Sequence, residues 1–180
     1  MSTRVRLFAV AATLIAVLAH AAVSPELAVV VMLKVLTYDP GFDKHVPGDF
    51  LLVVPLSKDN AEQAAALKEI QPVGATLLAK HSVRVKTVAA ETTAALSDPA
   101  TSAVLFLPGT PASVVEQWSA LAQSQKVYSL SLVPSDADEK VMLSVDAVDG
   151  KPQLVMNYRL STALGVAFPP SVLKVAHVIR

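Results

Sequence analysis

Continuous apolar runs alternate with helix-forming stretches along most of this chain, and that alternation restricts the fold more than any other feature. Phe50 to Leu56 and Ala103 to Leu107 are uninterrupted apolar segments, and Val127 to Val133 is a third β-type stretch. Runs of this length without polar alternation are expected of strands covered on both faces. Between them, Asn60 to Ile70 is rich in Ala, Glu, Gln and Leu and reads as a helix, broken by Pro72 and Gly74. A second helix is expected from Gly109-Thr110-Pro111 to about Gln123, with Thr110 as cap and Pro111 at its first position. Ser82 to Val88 alternates like a strand, and Ala89 to Leu96 is read as a short helix. Strand–helix alternation predicts an α/β fold: a mainly parallel sheet flanked by helices on both faces.

The two ends add to this frame. Ser24, Pro25 and Glu26 form a helix start, and the run to Thr37 is apolar except for Lys34, so this helix should be mostly buried. Tyr38-Asp39-Pro40-Gly41 ends it. Near the other end, Val141 to Val148 and Gln153 to Tyr158 flank Asp149-Gly150, which predicts a C-terminal β-hairpin. A short helical turn ends near Gly165. A closing helix is expected from Pro169-Pro170, with Val172, Leu173, Ala176 and Ile179 on its buried face.

Residues 1–21 read as a secretory signal peptide: Arg4 and Arg6, an apolar run from Leu7 to Leu18, then Ala19-His20-Ala21. The run is too short to span a bilayer, which takes about 20 residues. One α/β domain is then expected over 22–180, exported to the periplasm without stable membrane insertion. Lys and Arg together equal Asp and Glu in the whole sequence, at 15 each, so removing Arg4 and Arg6 leaves a mildly acidic domain. Nucleic-acid binding needs a concentrated basic face, and none is expected. The chain has no cysteine, which excludes disulfides, thiolate catalysis and cysteine–zinc sites.

The apolar helix ELAVVVMLKVLTYD, the strand FLLVVPL and the closing segment LVMNYRLSTALGVAFPPSVLKVAHVIR together resemble the YfiR family of exported proteins. Within the closing segment, Asn157, Gly165, Phe168, Leu173 and Ala176 stand in the expected order. The resemblance implies a periplasmic regulator that docks on an inner-membrane sensor, a diguanylate cyclase or a histidine kinase, with a homodimer as a further possibility. Disulfide-based redox control, associated with some members, is impossible in a chain without cysteine.

Few residues of the chain stand in patterns that carry chemistry. Asp39, Asp43 and His45 are suitable metal-ligand types, but a solvated loop after a helix is the preferred reading. His81 and His177 have no carboxylate near them in sequence and are expected at the surface or core edge. Ser171-Val172-Leu173-Lys174 matches S-x-x-K, without the S-D-N and K-T-G elements that accompany it in penicillin-recognising enzymes. The six glycines are isolated, so there is no phosphate-cradling loop. Asp136, Asp138 and Glu139 read as a solvated acidic loop, and Trp118 as a core residue of its helix. No catalytic set, metal site or cofactor is expected. Tyr38, Asp39 and Phe42, at the end of the first helix, are expected as exposed partner contacts. The alternative is a small-molecule carrier with a pocket at the carboxyl ends of the parallel strands, lined by the loops after Leu56, Leu107 and Val133.

Overall fold

The structure is a computed structural model that describes residues 23–75, 77–78 and 81–180; the expected signal peptide lies outside the described residues. Helix α1 (Pro25–Leu36) starts as expected, with Ser24 as cap: its hydroxyl oxygen accepts the Leu27 N–H at 3.3 Å, and Pro25 opens the helix. One turn of helix follows, α2 (Phe42–His45), before β1 (Phe50–Pro55). Helix α3 (Ala61–Ile70) runs into a 3₁₀ turn at Gln71–Ala75, where Pro72 and Gly74 were expected to break it. Strands β2 (Leu77–Leu78), β3 (Val83–Ala90) and β4 (Thr101–Phe106) come next, then α4 (Ala112–Gln125) and β5 (Tyr128–Ser131). The last third comprises α5 (Asp136–Glu139), β6 (Leu143–Val148), β7 (Lys151–Asn157), α6 (Tyr158–Leu164), α7 (Pro170–Val175) and β8 (His177–Ile179).

The eight strands form one sheet in the order β2-β3-β1-β4-β5-β6-β7-β8. Strands β3, β1, β4, β5 and β6 are parallel, as the alternation predicts. The expected hairpin joins β6 to β7 antiparallel, with Asp149 (φ 52°) and Gly150 (φ 71°) both left-handed at its tip. From β1 the chain crosses to β3 on one side, then returns past β1 to β4 and continues through β5 and β6. The order therefore reverses between β1 and β4.

Two apolar clusters, one on each face of the sheet, hold the layers together. In the larger one, Val29, Met32, Leu33 and Leu36 of α1 and Ala66 and Ile70 of α3 meet Phe50, Leu52 and Val54 of β1. In the smaller one, Val115, Trp118 and Ala122 of α4 cover Val53, Val104 and Phe106. Every residue of β4 is buried, which is why its run from Ala103 has no polar alternation. Trp118 is core, as expected, at 4% exposure.

Three local expectations fail. Ala89 and Ala90 are strand residues, paired with Val54 and Pro55 of β1, and only a 3₁₀ turn at Thr93–Ser97 follows. Pairing along a buried neighbour outweighs the helix propensity of two alanines. The closing helix is also shorter than its apolar spacing implies. It ends at Val175, and His177 to Ile179 instead add a strand parallel to β7. Pro111 and Thr110 shift too: Pro111 is the cap residue of α4, and Thr110 serves another purpose.

The residues that carry the YfiR resemblance are structural. The Asn157 Oδ1 caps α6 by accepting the Leu160 N–H at 3.0 Å, while its Nδ2 donates to the Ala137 carbonyl at 3.1 Å. Gly165 is left-handed (φ 83°) at the C-cap of α6, and Phe168, Leu173 and Ala176 pack in the larger cluster.

Candidate functional site

In open parallel sheets, ligands sit outside the carboxyl ends of the strands where the order reverses. Here that point lies between β1 and β4, and side chains bridge it. Asn60 caps α3, its Oδ1 accepting the Gln63 N–H at 3.0 Å, while its Nδ2 donates to the Gly109 carbonyl at 3.0 Å. Gln63, 1% exposed, takes the Ser57 N–H on its Oε1 at 2.8 Å and donates from Nε2 to the Thr110 hydroxyl at 2.9 Å. The Thr110 hydroxyl in turn donates to the Leu107 carbonyl at 2.7 Å. Gly109 (φ 77°) closes the loop, and a Cβ there would lie 2.6 Å from Glu62 Oε2. The loops after β1 and β4 are thus tied together.

Open space lies beside this bridge, on the α4 side. A cleft of about 480 Å³ is bounded by the end of β1 (55–58), the end of β3 (90–93) and Val114, Gln117 and Trp118 of α4. That volume is within the range of about 300–1,000 Å³ typical of small-ligand sites. Trp118 and Val114 of α4 give it apolar surface, while Ser57, Thr92, Thr93 and Gln117 add hydrogen-bonding groups. Lys58 and Glu91 bring opposite charges to the same cleft, with Nζ and Oε2 3.5 Å apart. Both are well exposed, and such pairs contribute at most about 1 kcal/mol. A ligand carrying either charge can therefore replace one partner at little loss.

The loops expected to line one pocket are divided between two. The loop after Leu56 lines this cleft, whereas Pro108 and Pro134, from the loops after Leu107 and Val133, line a different cavity on the other half of the sheet. Lys58, Glu91 and Gln117 were not singled out by the sequence, because they converge only when β3 lies beside β1. Gln63 had a local signal, standing three residues after the cap Asn60 in the spacing of a capping box.

The three residues expected as exposed contacts differ in placement. Tyr38 is 45% exposed, but Asp39 and Phe42 are buried. Phe42 stacks on Phe50 with ring centres 6.3 Å apart and lies 4.5 Å from the His81 ring. Asp39 is not a solvated loop acid. Its Oδ1 accepts the N–H groups of Gly41 (3.1 Å) and Ala167 (3.2 Å), and its Oδ2 accepts the Tyr128 hydroxyl (3.1 Å). Burial, the Asp39 charge and this hydrogen bond together push ionisation of the Tyr128 phenol far above the usual tyrosine range. Asp43 turns away from Asp39 and meets His81 Nδ1 at 2.7 Å, a carboxylate that proximity in sequence did not reveal. His45 Nε2 lies 4.0 Å from Asp39 Oδ2, and its ring is against Tyr128. Among the described residues no group of acidic and histidine side chains is arranged to hold a metal. His177 is an exposed residue of β8 rather than part of a helix.

No protein-family profile matches the chain, and no curated protein matches it in sequence. Solved structures do match in fold. The ABC domain in complex with L-Trp from Streptococcus pneumonia superposes with a TM-score of 0.59 at 16% identity, covering 87% of this chain and 62% of that one. A conserved domain protein from Vibrio cholerae O1 biovar El Tor gives 0.57 at 17% identity, covering 84% and 59%. The ligand-free, open structure of a substrate binding protein with adhesive properties from Clostridium difficile gives 0.51 at 12% identity, covering 78% and 57%. These likenesses show a shared α/β fold. The chain spans about three fifths of the length of these structures. No helix among the described residues is long and apolar enough to cross a membrane.

Proposed function

We propose that this is a non-catalytic small-molecule-binding domain of an exported protein, with its ligand in the cleft between the ends of β1 and β3 and the α4 helix. The observation that carries this reading is the cleft itself, with an apolar floor around Trp118 and one group of each charge, Lys58 and Glu91. It lies beside the reversal of strand order, where this sheet architecture places ligands. Likeness in fold to a domain crystallised with L-Trp and to a substrate binding protein supports the same class. A suitable ligand has a flat apolar body and a charged end, and L-Trp is the first compound to test.

Trp118 is the only tryptophan, so its indole N–H gives a single NMR signal at the cleft. A panel of amino acids, nucleosides and aromatic acids should contain a compound that moves this signal saturably. Substitution by Ala of whichever of Lys58 and Glu91 meets the ligand's charge should weaken that binding by about three- to tenfold, as expected for loss of one charged hydrogen bond at an exposed site. Binding unaffected by either substitution would oppose the assignment.

The resemblance to the YfiR family supports a second reading, in which the domain docks on an inner-membrane cyclase or kinase. Of the residues behind that resemblance, Asn157 and Phe168 are buried, Leu173 and Ala176 are half-buried against the core, and Gly165 is a helix C-cap, so they define the fold rather than a docking surface. Recovery of such a membrane sensor with the tagged protein supports this reading. Recovery of only soluble periplasmic proteins opposes it.

A further inference from the structure

We propose that Gln63 is a positioning residue for the Trp118 cleft: its buried amide is a strut that sets the spacing of the cleft's two walls. One wall is the loop after β1, with Ser57 and Lys58, and the other is the start of α4, with Val114 and Trp118. Gln63 stands on α3 and does not line the cleft, yet it is bonded towards both walls. Its Oε1 accepts the Ser57 N–H at 2.8 Å, and its Nε2 donates at 2.9 Å to the hydroxyl of Thr110, the residue before the cap of α4. That hydroxyl donates onward to the Leu107 carbonyl at 2.7 Å. Ser57 presents an N–H, so the amide oxygen must face it, which leaves the NH₂ group for Thr110.

Packing alone asks only for an apolar side chain of similar length at this depth. An amide that is 1% exposed is kept there by its pairing, and both of its ends are paired across the chain rather than within α3. The loop it holds includes Asp59 in left-handed backbone (φ 60°), a conformation that persists only where neighbouring contacts fix it. Side chains that meet a ligand need such support, because a small displacement of the loop moves Lys58 relative to Trp118. What the cleft holds rests on the ligand-binding function proposed above, whereas the strut rests on these hydrogen bonds alone.

Gln63→Glu tests the strut without a ligand. A protonated glutamic acid offers the pattern of glutamine, a carbonyl for Ser57 and an O–H for Thr110. The ionised form has acceptors only, so the Thr110 hydroxyl must turn away from Leu107 to meet it. Burial raises the pKa of a carboxyl group, to as much as ~8–9, so both forms are reached between about pH 8 and about pH 5. The Trp118 indole and Ser57 amide NMR signals of the variant, compared with the native protein at each pH, should be displaced at the upper end and return at the lower. If Gln63→Glu loses the native spectrum, Thr110→Val decides instead: it keeps the volume, removes the hydroxyl and should displace the indole signal. With L-Trp as ligand, Gln63→Met and Thr110→Val should each lower affinity about three- to tenfold. The double variant should lose no more than either, because one strut is broken only once. L-Trp that fails to bind the native protein counts against the binding function, and the pH-reversible signal then decides the strut by itself. An indole signal that stays native in both Gln63→Glu and Thr110→Val, a displacement that low pH does not reverse, or additive losses of affinity would overturn the proposal.

Discussion

At the residue scale, Asp39 shows most clearly what sequence could not reveal. Read along the chain, it is one of several polar residues in a turn; in space, it joins Gly41, Tyr128 and Ala167. A carboxylate is buried only when donors compensate its desolvation, and two of these donors are 89 and 128 residues away. Tyr128→Phe leaves Asp39 short of one bond and should destabilise the fold by about 1–3 kcal/mol, measured by urea unfolding. Tyr128 also gives a pH prediction. Its phenol ionises at higher pH in the folded state than in the unfolded chain, where the value is near ~10. The folded state thus holds its proton where the unfolded state releases it. This contribution to stability is intact below about pH 10 and declines above it. The urea midpoint should therefore fall at alkaline pH in the native protein, and less steeply in Tyr128→Phe; parallel declines would contradict this. At Gly109, the left-handed backbone rather than the flexible Glu62 side chain sets the constraint, so Gly109→Ala should lose about 1–2 kcal/mol.

At the scale of elements, strands covered on both faces were the most legible part of the sequence. β1 and the Ala103–Phe106 part of β4 are continuous apolar runs because a helix layer lies on each side of them. The end of β3 and the closing segment depart from their sequence pattern for a common reason. Ala89-Ala90 and His177 to Ile179 become strands only because β1 and β7 offer them backbone partners, and their own spacing does not report this. Strand β8 shields the outer edge of β7. Ending the chain after Val175 should therefore lower the melting temperature and promote aggregation, seen by light scattering, since an uncovered edge pairs with other chains. Asn60 anchors another element: Asn60→Ala removes the cap of α3 together with the tie to Gly109. It should cost about 1–2 kcal/mol.

For the whole molecule, the alternation of runs was sufficient to predict a mostly parallel sheet with helices on both faces, and the structure has it. The carboxyl ends of the strands were also the expected location of a pocket. The division into two cavities was not foreseeable, because it depends on α4 and α1 covering different faces of the sheet, which places the loop after β1 beside α4 and the loops after β4 and β5 beside α1. Nor were Lys58 and Glu91 recognisable as a pair, being 33 positions apart and united only by the parallel register of β1 with β3. What this fold offers a ligand follows from those two facts: an amphipathic cleft beside the bridged junction, with the lone tryptophan in its floor. The most direct measurement of that claim is the Trp118 indole N–H signal, followed while L-Trp and related small molecules are added. A saturable shift that Glu91→Ala or Lys58→Ala weakens is the predicted result. Indole signals that stay fixed while a compound binds elsewhere on the protein would contradict it.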